Sequence, residues 1–203
     1  MCSVSTCAIV LAVYNVHMQE EKRDTFFTEL LKFAIIALVI VVPVRLFVAQ
    51  PFIVSGESMV PTFQNDQYLI VDELSYHFEQ PRRGDVIVFR YPKDPSQFFI
   101  KRIIGLPGET VHITDTGVTV THTDGTSTVT VNEQYVVNHG NGGNQTYVVP
   151  AGNYFVMGDN RPESSDSRIW GFLPQGDIVG HVFLRLLPPQ SIGIFPGSAS
   201  EPQ

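Results

Sequence analysis

The sequence predicts a mainly β protein with an inserted β-hairpin subdomain and one transmembrane helix near its N-terminus, and three observations carry that prediction. Short runs of β-branched and aromatic residues recur between Pro- and Gly-rich punctuation from Tyr68 to Leu187. Asp124-Gly125 separates two Thr-rich runs, 118–123 and 128–131, which is the pattern of a tight hairpin whose glycine supplies the positive φ. From Leu30 to Val48 the chain is apolar in the manner of a membrane span.

Residues 1–17 are apolar but short, and they precede the charged segment 19–24. They lack a basic region before them and a clear cleavage pattern, so they do not make a good signal sequence. Met18 offers an alternative start that would leave residues 1–17 outside the native protein. The 19 residues from Leu30 to Val48 give about 28 Å of helix at ~1.5 Å each, enough for a ~30 Å hydrocarbon core if Lys32 and Arg45 reach opposite interfaces. The charge-free part, 33–44, reaches only ~18 Å, and Pro43 and Arg45 keep a buried core helix open as the other account. Lys22, Arg23 and Lys32 precede the span while only Arg45 follows closely. The positive-inside rule therefore puts residues 1–29 in the cytoplasm, the helix at 30–49 and the rest on the outer face.

After Gln50, the runs 68–72, 85–91 and 98–104 read as strands bounded by Pro-Arg-Arg-Gly, Pro92-Lys93-Asp94-Pro95 and Leu-Pro-Gly. Residues 111–148 read as the inserted subdomain, ending in the Asn/Gly-rich loop 138–144. Its hairpin is rich in Thr and poor in large apolar residues, which predicts a two-faced exposed ribbon. Tyr154 to Met157 is a buried-type strand and Ile178 to Leu187 another, so the core occupies 50–110 and 149–195, with 196–203 as a frayed tail.

With 203 residues and 43% hydrophobic content the chain can bury a substantial core, and a net charge of -7 without clustered Lys and Arg argues against a nucleic-acid partner. The two cysteines, Cys2 and Cys7, cannot tie the main body together by a disulfide. The six histidines show no ligand spacing, so no metal and no cofactor are expected.

Within Ser55-Gly56-Glu57-Ser58-Met59-Val60-Pro61-Thr62, Gly56 and Pro61 bend the chain around Ser58 in a way that presents a hydroxyl. By itself the stretch reads equally as an ordinary Ser/Gly/Pro loop. Two further blocks accompany it: Phe98-Phe99-Ile100-Lys101-Arg102-Ile103-Ile104-Gly105 running on to Glu109, and Gly158-Asp159-Asn160-Arg161 running on through Ser164-Ser165-Asp166-Ser167-Arg168. In that order the three blocks resemble bacterial type I signal peptidases, the membrane-bound serine proteases that remove signal peptides from exported proteins. The resemblance extends from about Phe47 to Leu187.

It implies a Ser/Lys dyad, with Ser58 as nucleophile and Lys101 as general base. To take a proton near neutral pH the lysine pKa must fall from about 10.4 toward 7 or 8, which burial would achieve. Strand alternation sets Phe99 and Ile103 on the face of Lys101 and Arg102 on the opposite one, although the pattern alone equally allows an edge lysine that reaches water. Ser164 matches the family serine that hydrogen-bonds the lysine. Asp166 and Arg168, two apart and able to share a strand face, match an ion pair that braces the site. Gly158, Asp159 and Asn160 would shape the turn beneath, and a plain Gly-Asp-Asn turn explains them as well. Gly56 stands where some members carry a serine that helps form the oxyanion hole, so the hole is left to backbone N–H, that of Ser58. Phe52, Val54, Met59, Phe63, Phe99 and Ile100 match positions that line shallow apolar pockets for small residues of the Ala-x-Ala type. Each of the six taken alone reads as core, and alternation turns Ile100 away from Lys101.

The expected fold is thus a coiled, barrel-like core of antiparallel strands carrying the dyad, with the inserted hairpin subdomain and the membrane helix. The expected activity is that of a monomeric serine endopeptidase, anchored once in the bacterial inner membrane, acting at the lipid surface on exported preproteins. The reading from another class is a catalytically inactive, membrane-tethered β domain that binds peptides. It requires Ser58 or Lys101 to be replaced or Lys101 to be fully solvated, and neither residue is missing. Self-cleaving repressor-type proteases share the dyad but carry a DNA-binding domain where this chain has an apolar stretch. A Ser-His-Asp hydrolase lacks a histidine in a matching motif.

Overall fold

The computed structural model describes residues 26–42, 49–125, 127–139 and 143–199. Two compact units divide the chain, Met1–Leu46 and Phe47–Gln203. In the first, residues 26–42 form helix α1, on which Lys32 pairs with Glu29 at 3.0 Å. Among the described residues no helix is long and apolar enough to cross a membrane. The span expected at 30–49 falls partly outside them, and residues 1–25 with the alternative start lie wholly outside.

The second unit is mainly β. In chain order its elements are β1 (Ala49–Ile53), β2 (Tyr68–Asp72), β3 (Val86–Tyr91), β4 (Asp94–Gly105), β5 (Thr110–Thr114), β6 (Gly117–Thr121), β7 (Thr128–Thr130), β8 (Gln145–Val148), β9 (Asn153–Met157), helix α2 (Ser167–Trp170), β10 (Leu173–Pro174), β11 (Ile178–Leu187) and β12 (Gly193–Ile194). One sheet runs β1-β2-β11-β3-β4-β9-β10, with β12 on β11, and a second runs β7-β6-β5-β8. Every recorded strand pair is antiparallel.

β2 alternates, with Leu69 and Val71 buried. β3 and the C-terminal half of β4 are instead buried continuously, from Val86 to Phe89 and from Lys101 to Gly105. Apolar clusters on both faces account for this. Val86 and Val88 pack with Val54, Met59, Phe63, Leu69 and Val71, while Ile87, Phe89 and Ile103 pack with Tyr154, Val156, Trp170 and Leu173. Fully buried rings such as Phe63 and Phe89 stabilise by about 1.5–3 kcal/mol each.

The hairpin subdomain departs from the expected two-faced ribbon. Val111, Ile113, Val118, Val120 and Val131 form one buried cluster with Ile104, Val149, Phe155 and Met157 of the core. The period-2 valines between the threonines supply a buried face that counting large side chains misses. The Asp124-Gly125 turn forms as expected, with Gly125 at φ 69° and its N–H donating to the His122 carbonyl. The chain beyond residue 195 is packed rather than frayed as far as it is described: Pro196 is buried and the Gly197 carbonyl accepts from Arg102 Nη1.

Candidate active site

The loop between β1 and β2 is closed at its neck by two backbone bonds between opposite sides, Val54 N–H to Gln67 O and Asp66 N–H to Val54 O, both 2.9 Å. Met59 and Phe63, 1% and 0% exposed, anchor the loop in the core and are joined by Phe63 N–H to Met59 O at 2.9 Å. Gly56, at φ 94°, donates its N–H to Asn65 Oδ1 at 2.8 Å, a conformation that disfavours any side chain there. Ser58 is thereby held on a short, braced turn. Among the described residues its own N–H has no acceptor, whereas its carbonyl accepts from Asn160 N–H at 3.0 Å.

Lys101 comes from β4 and is 4% exposed, so it is not an edge lysine reaching water. Its Nζ donates to Ser58 Oγ at 2.7 Å and to the Ile100 carbonyl at 2.8 Å, and lies 5.4 Å from the centre of the Phe99 ring. Burial lowers its pKa to about 8, with Asp166 and Asp159 pulling weakly the other way. A lysine with that pKa is largely poised to accept a proton at mildly alkaline pH.

Two expectations for the supports are corrected. Asp166 and Arg168 do pair, Oδ2 to Nη2 at 2.7 Å, but on a helical turn rather than a strand face. Asp166 caps α2, accepting from the Arg168 N–H, and its Oδ2 also takes the Gly158 N–H at 3.1 Å. A carboxylate two residues before a cationic residue satisfies a helix N-terminus as readily as a strand pair, and spacing cannot separate the two. Ser164, expected to bind the lysine, has a buried hydroxyl with no hydrogen-bond partner among the described residues. The amino group is turned to Ser58 and Ile100 instead. Gly158 lies against both the Ser58 carbonyl and Ser164 Oγ, closer than a Cβ would permit.

Beside the dyad a cleft of about 530 Å³ is lined by residues 52–58 and 97–101, together with Leu69, Val88, Glu163 and Ser165. Phe52, Val54, Phe99 and Ile100 line it as expected. Met59 and Phe63 do not; they belong to the core, because the loop needs two apolar anchors to hold the serine. Ile100 does face the cleft although alternation turns it from Lys101. Consecutive residues on both walls reach the opening, so the cleft runs along the strand rather than over one face. Strand β9 pairs with β4 only from Arg102 onward, and among the described residues nothing pairs with residues 98–101 on that side.

Sequence reasoning missed the buried ion pair beneath the dyad. Arg102, fully buried, donates Nε and Nη2 to the two oxygens of Asp159 at 2.9 and 2.7 Å, and Asp159 also accepts from Thr62 Oγ1 at 2.5 Å. An arginine beside Lys101 in the run 98–104, whose other residues are apolar, was the available signal. Among the described residues no group of three or more His, Cys, Asp or Glu is arranged to hold a metal ion.

Comparison with known proteins places these features in context. The family model described as signal peptidase, peptidase S26 matches residues 27–187. A probable signal peptidase I-1 of Synechocystis sp. is 39% identical over 175 residues, covering 83% of this chain and 86% of the relative. A signal peptidase I of Leptolyngbya laminosa is 36% identical over 181 residues, covering 86% of each. A crystal structure of a signal peptidase I from Enterococcus faecalis V583 is 34% identical, with a TM-score of 0.42, covering 51% of this chain and 97% of that one.

Proposed function

The chain belongs to the signal peptidase (peptidase S26) family, and on that premise we propose that it removes signal peptides from exported preproteins with Ser58 as nucleophile and Lys101 as general base. The observation that carries the mechanism is the 2.7 Å contact between Ser58 Oγ and a lysine amine that burial has made weakly basic. Neutral Lys101 takes the proton as Ser58 Oγ attacks the scissile carbonyl. The resulting ammonium returns that proton to the departing amine, leaving an acyl-enzyme that water hydrolyses with the same lysine as base. The Ser58 N–H, without an acceptor among the described residues, is left to stabilise the oxyanion.

Phe52, Val54, Phe99 and Ile100 give the cleft an apolar lining for small residues of the Ala-x-Ala type. The unpaired side of residues 98–101 receives the substrate as an added strand, whose backbone bonds supply affinity while shallow pockets supply selection. Membrane anchoring belongs to the same proposal. On α1, Phe33, Ile35, Ile36, Leu38, Val39 and Ile40 are all more than half exposed, and a helix apolar on every side needs an apolar surrounding. The same proposal has the N-terminus cytoplasmic, the cleft on the outer face and the protein a monomer. Register shifts in β4 and β11 support a coiled, barrel-like core, because bulges sharpen strand twist.

The test is cleavage of a preprotein bearing Ala-x-Ala by the full chain in detergent, followed across pH. The expected kcat/KM rises with pH and levels off above about 8, since the deprotonated lysine is the active form. A profile flat from pH 6 to 10 would remove Lys101 as the base, and no cleavage at any pH would leave the peptide-binding reading in its place.

A further inference from the structure

Two buried arginines hold the turn beneath Ser58, and both are held in turn by the connection between β7 and β8. Arg161, 4% exposed, donates Nε to the Gly158 carbonyl at 3.1 Å, and its own carbonyl accepts from Arg168 Nη2 at 2.6 Å. Its Nη1 pairs with Glu133 Oε1, while Glu133 Oε2 accepts from the Val118 N–H at 3.2 Å and lies 3.5 Å from His139 Nδ1. The second arginine, Arg102, has its Cζ 3.8 Å from the centre of the Tyr135 ring, with Asp159, Gly84 O and Gly197 O satisfying its edge. Val131 and Val136, both buried, pin the connection on either side of these two residues.

We propose that the 131–136 connection of the hairpin subdomain is a positioning element of the catalytic centre, in which Glu133 and Tyr135 set the turnover rate without touching substrate. Neither lines the cleft. The mechanical path is short. Glu133 fixes Arg161, Arg161 fixes the Gly158 carbonyl, and Gly158 lies in direct contact with the Ser58 carbonyl and Ser164 Oγ. Tyr135 covers the face of Arg102, whose partner Asp159 also receives the Thr62 hydroxyl four residues beyond Ser58. A neutral residue at 133 leaves a buried guanidinium short of its counter-charge, and the turn must shift to resolvate it. A nucleophile displaced by a fraction of an ångström loses rate without losing its substrate pocket, whose lining includes neither Gly158 nor Arg161.

This inference rests on Ser58 being the nucleophile, so wild type and Ser58→Ala are assayed beside the variants. Glu133→Gln is expected to lower kcat at least tenfold on an Ala-x-Ala preprotein, with KM within twofold of wild type and kcat normalised to the folded fraction at the assay temperature. Tyr135→Leu, which leaves the ion pair in place, is expected to act in the same direction and carries the test if Glu133→Gln does not fold. A folded Glu133→Gln with kcat within twofold of wild type overturns the proposal, as does a loss fully explained by unfolded protein or a failure of both variants to fold. If wild type is inactive or Ser58→Ala retains activity, the assignment of Ser58 fails instead.

Discussion

Ser58→Ala and Lys101→Met are each expected to reduce kcat/KM on an Ala-x-Ala preprotein at least about a thousandfold, the loss that follows when one member of a two-residue catalytic unit is removed. Lys101→Met is further expected to make the protein more stable at neutral pH. The lysine pKa falls from 10.5 to about 8 on folding, because burial penalises the ammonium. Between those two values the unfolded chain holds a proton that the folded chain does not, so stability rises with pH across that window. Below about pH 8 the folded protein carries the whole penalty, about 3 kcal/mol from a shift of this size. Methionine fills a similar volume without charge and escapes the penalty. A chain of this length gains about 2–4 °C in Tm per kcal/mol, so a rise of roughly 6–12 °C is expected at pH 7, shrinking to nothing by about pH 10.5. Thermal melts of the two proteins at pH 7 and pH 10.5 measure this directly. A variant that keeps more than a tenth of wild-type activity would dismiss Lys101 as the base, and one that is less stable at pH 7 would show that the buried ammonium is better compensated than its surroundings suggest.

Asp159→Ala is expected to destabilise the protein by about 3–5 kcal/mol, because it leaves the Arg102 guanidinium buried without a counter-charge. Arginine cannot shed its proton to escape, as a lysine can. Both side chains are essentially sealed from water, at 0% and 1% exposed, so solvent screening does not reduce the effect. The Thr62 hydroxyl loses its acceptor at the same time, freeing the far end of the loop that carries Ser58. Urea denaturation gives the magnitude. The double replacement Arg102→Met with Asp159→Leu is expected to recover most of the stability, since two apolar groups satisfy each other where one lone charge cannot. A loss under about 1 kcal/mol for Asp159→Ala would mean that the Gly84 and Gly197 carbonyls suffice to hold the arginine.

Much of the architecture is legible in the chain because it depends on local rules. β2 and β11 fall on the runs read as strands, Asp124-Gly125 makes its turn, and Gly56 marks a backbone of positive φ beside Ser58. The motif order also names Ser58 and Lys101 together although they are 43 residues apart. The valines of the hairpin subdomain show the limit of the same rules. Their alternation was present, but a face counts as buried only when another element covers it, and Ile104, Phe155 and Met157 lie outside the hairpin.

What the sequence determined by itself is therefore the β character and the turns, set by backbone preference within a few residues, while the proposed pair of Ser58 and Lys101 followed from the order of the motif blocks and the family they resemble. Tertiary structure alone decided that Lys101 is dry enough to lose its proton, that Met59 and Phe63 anchor while Ile100 lines the cleft, and that Arg102 meets Asp159 and Arg161 meets Glu133. Periodicity states which way a side chain points, whereas burial and charge pairing depend on what distant segments place opposite it, and that is fixed only when the whole core packs.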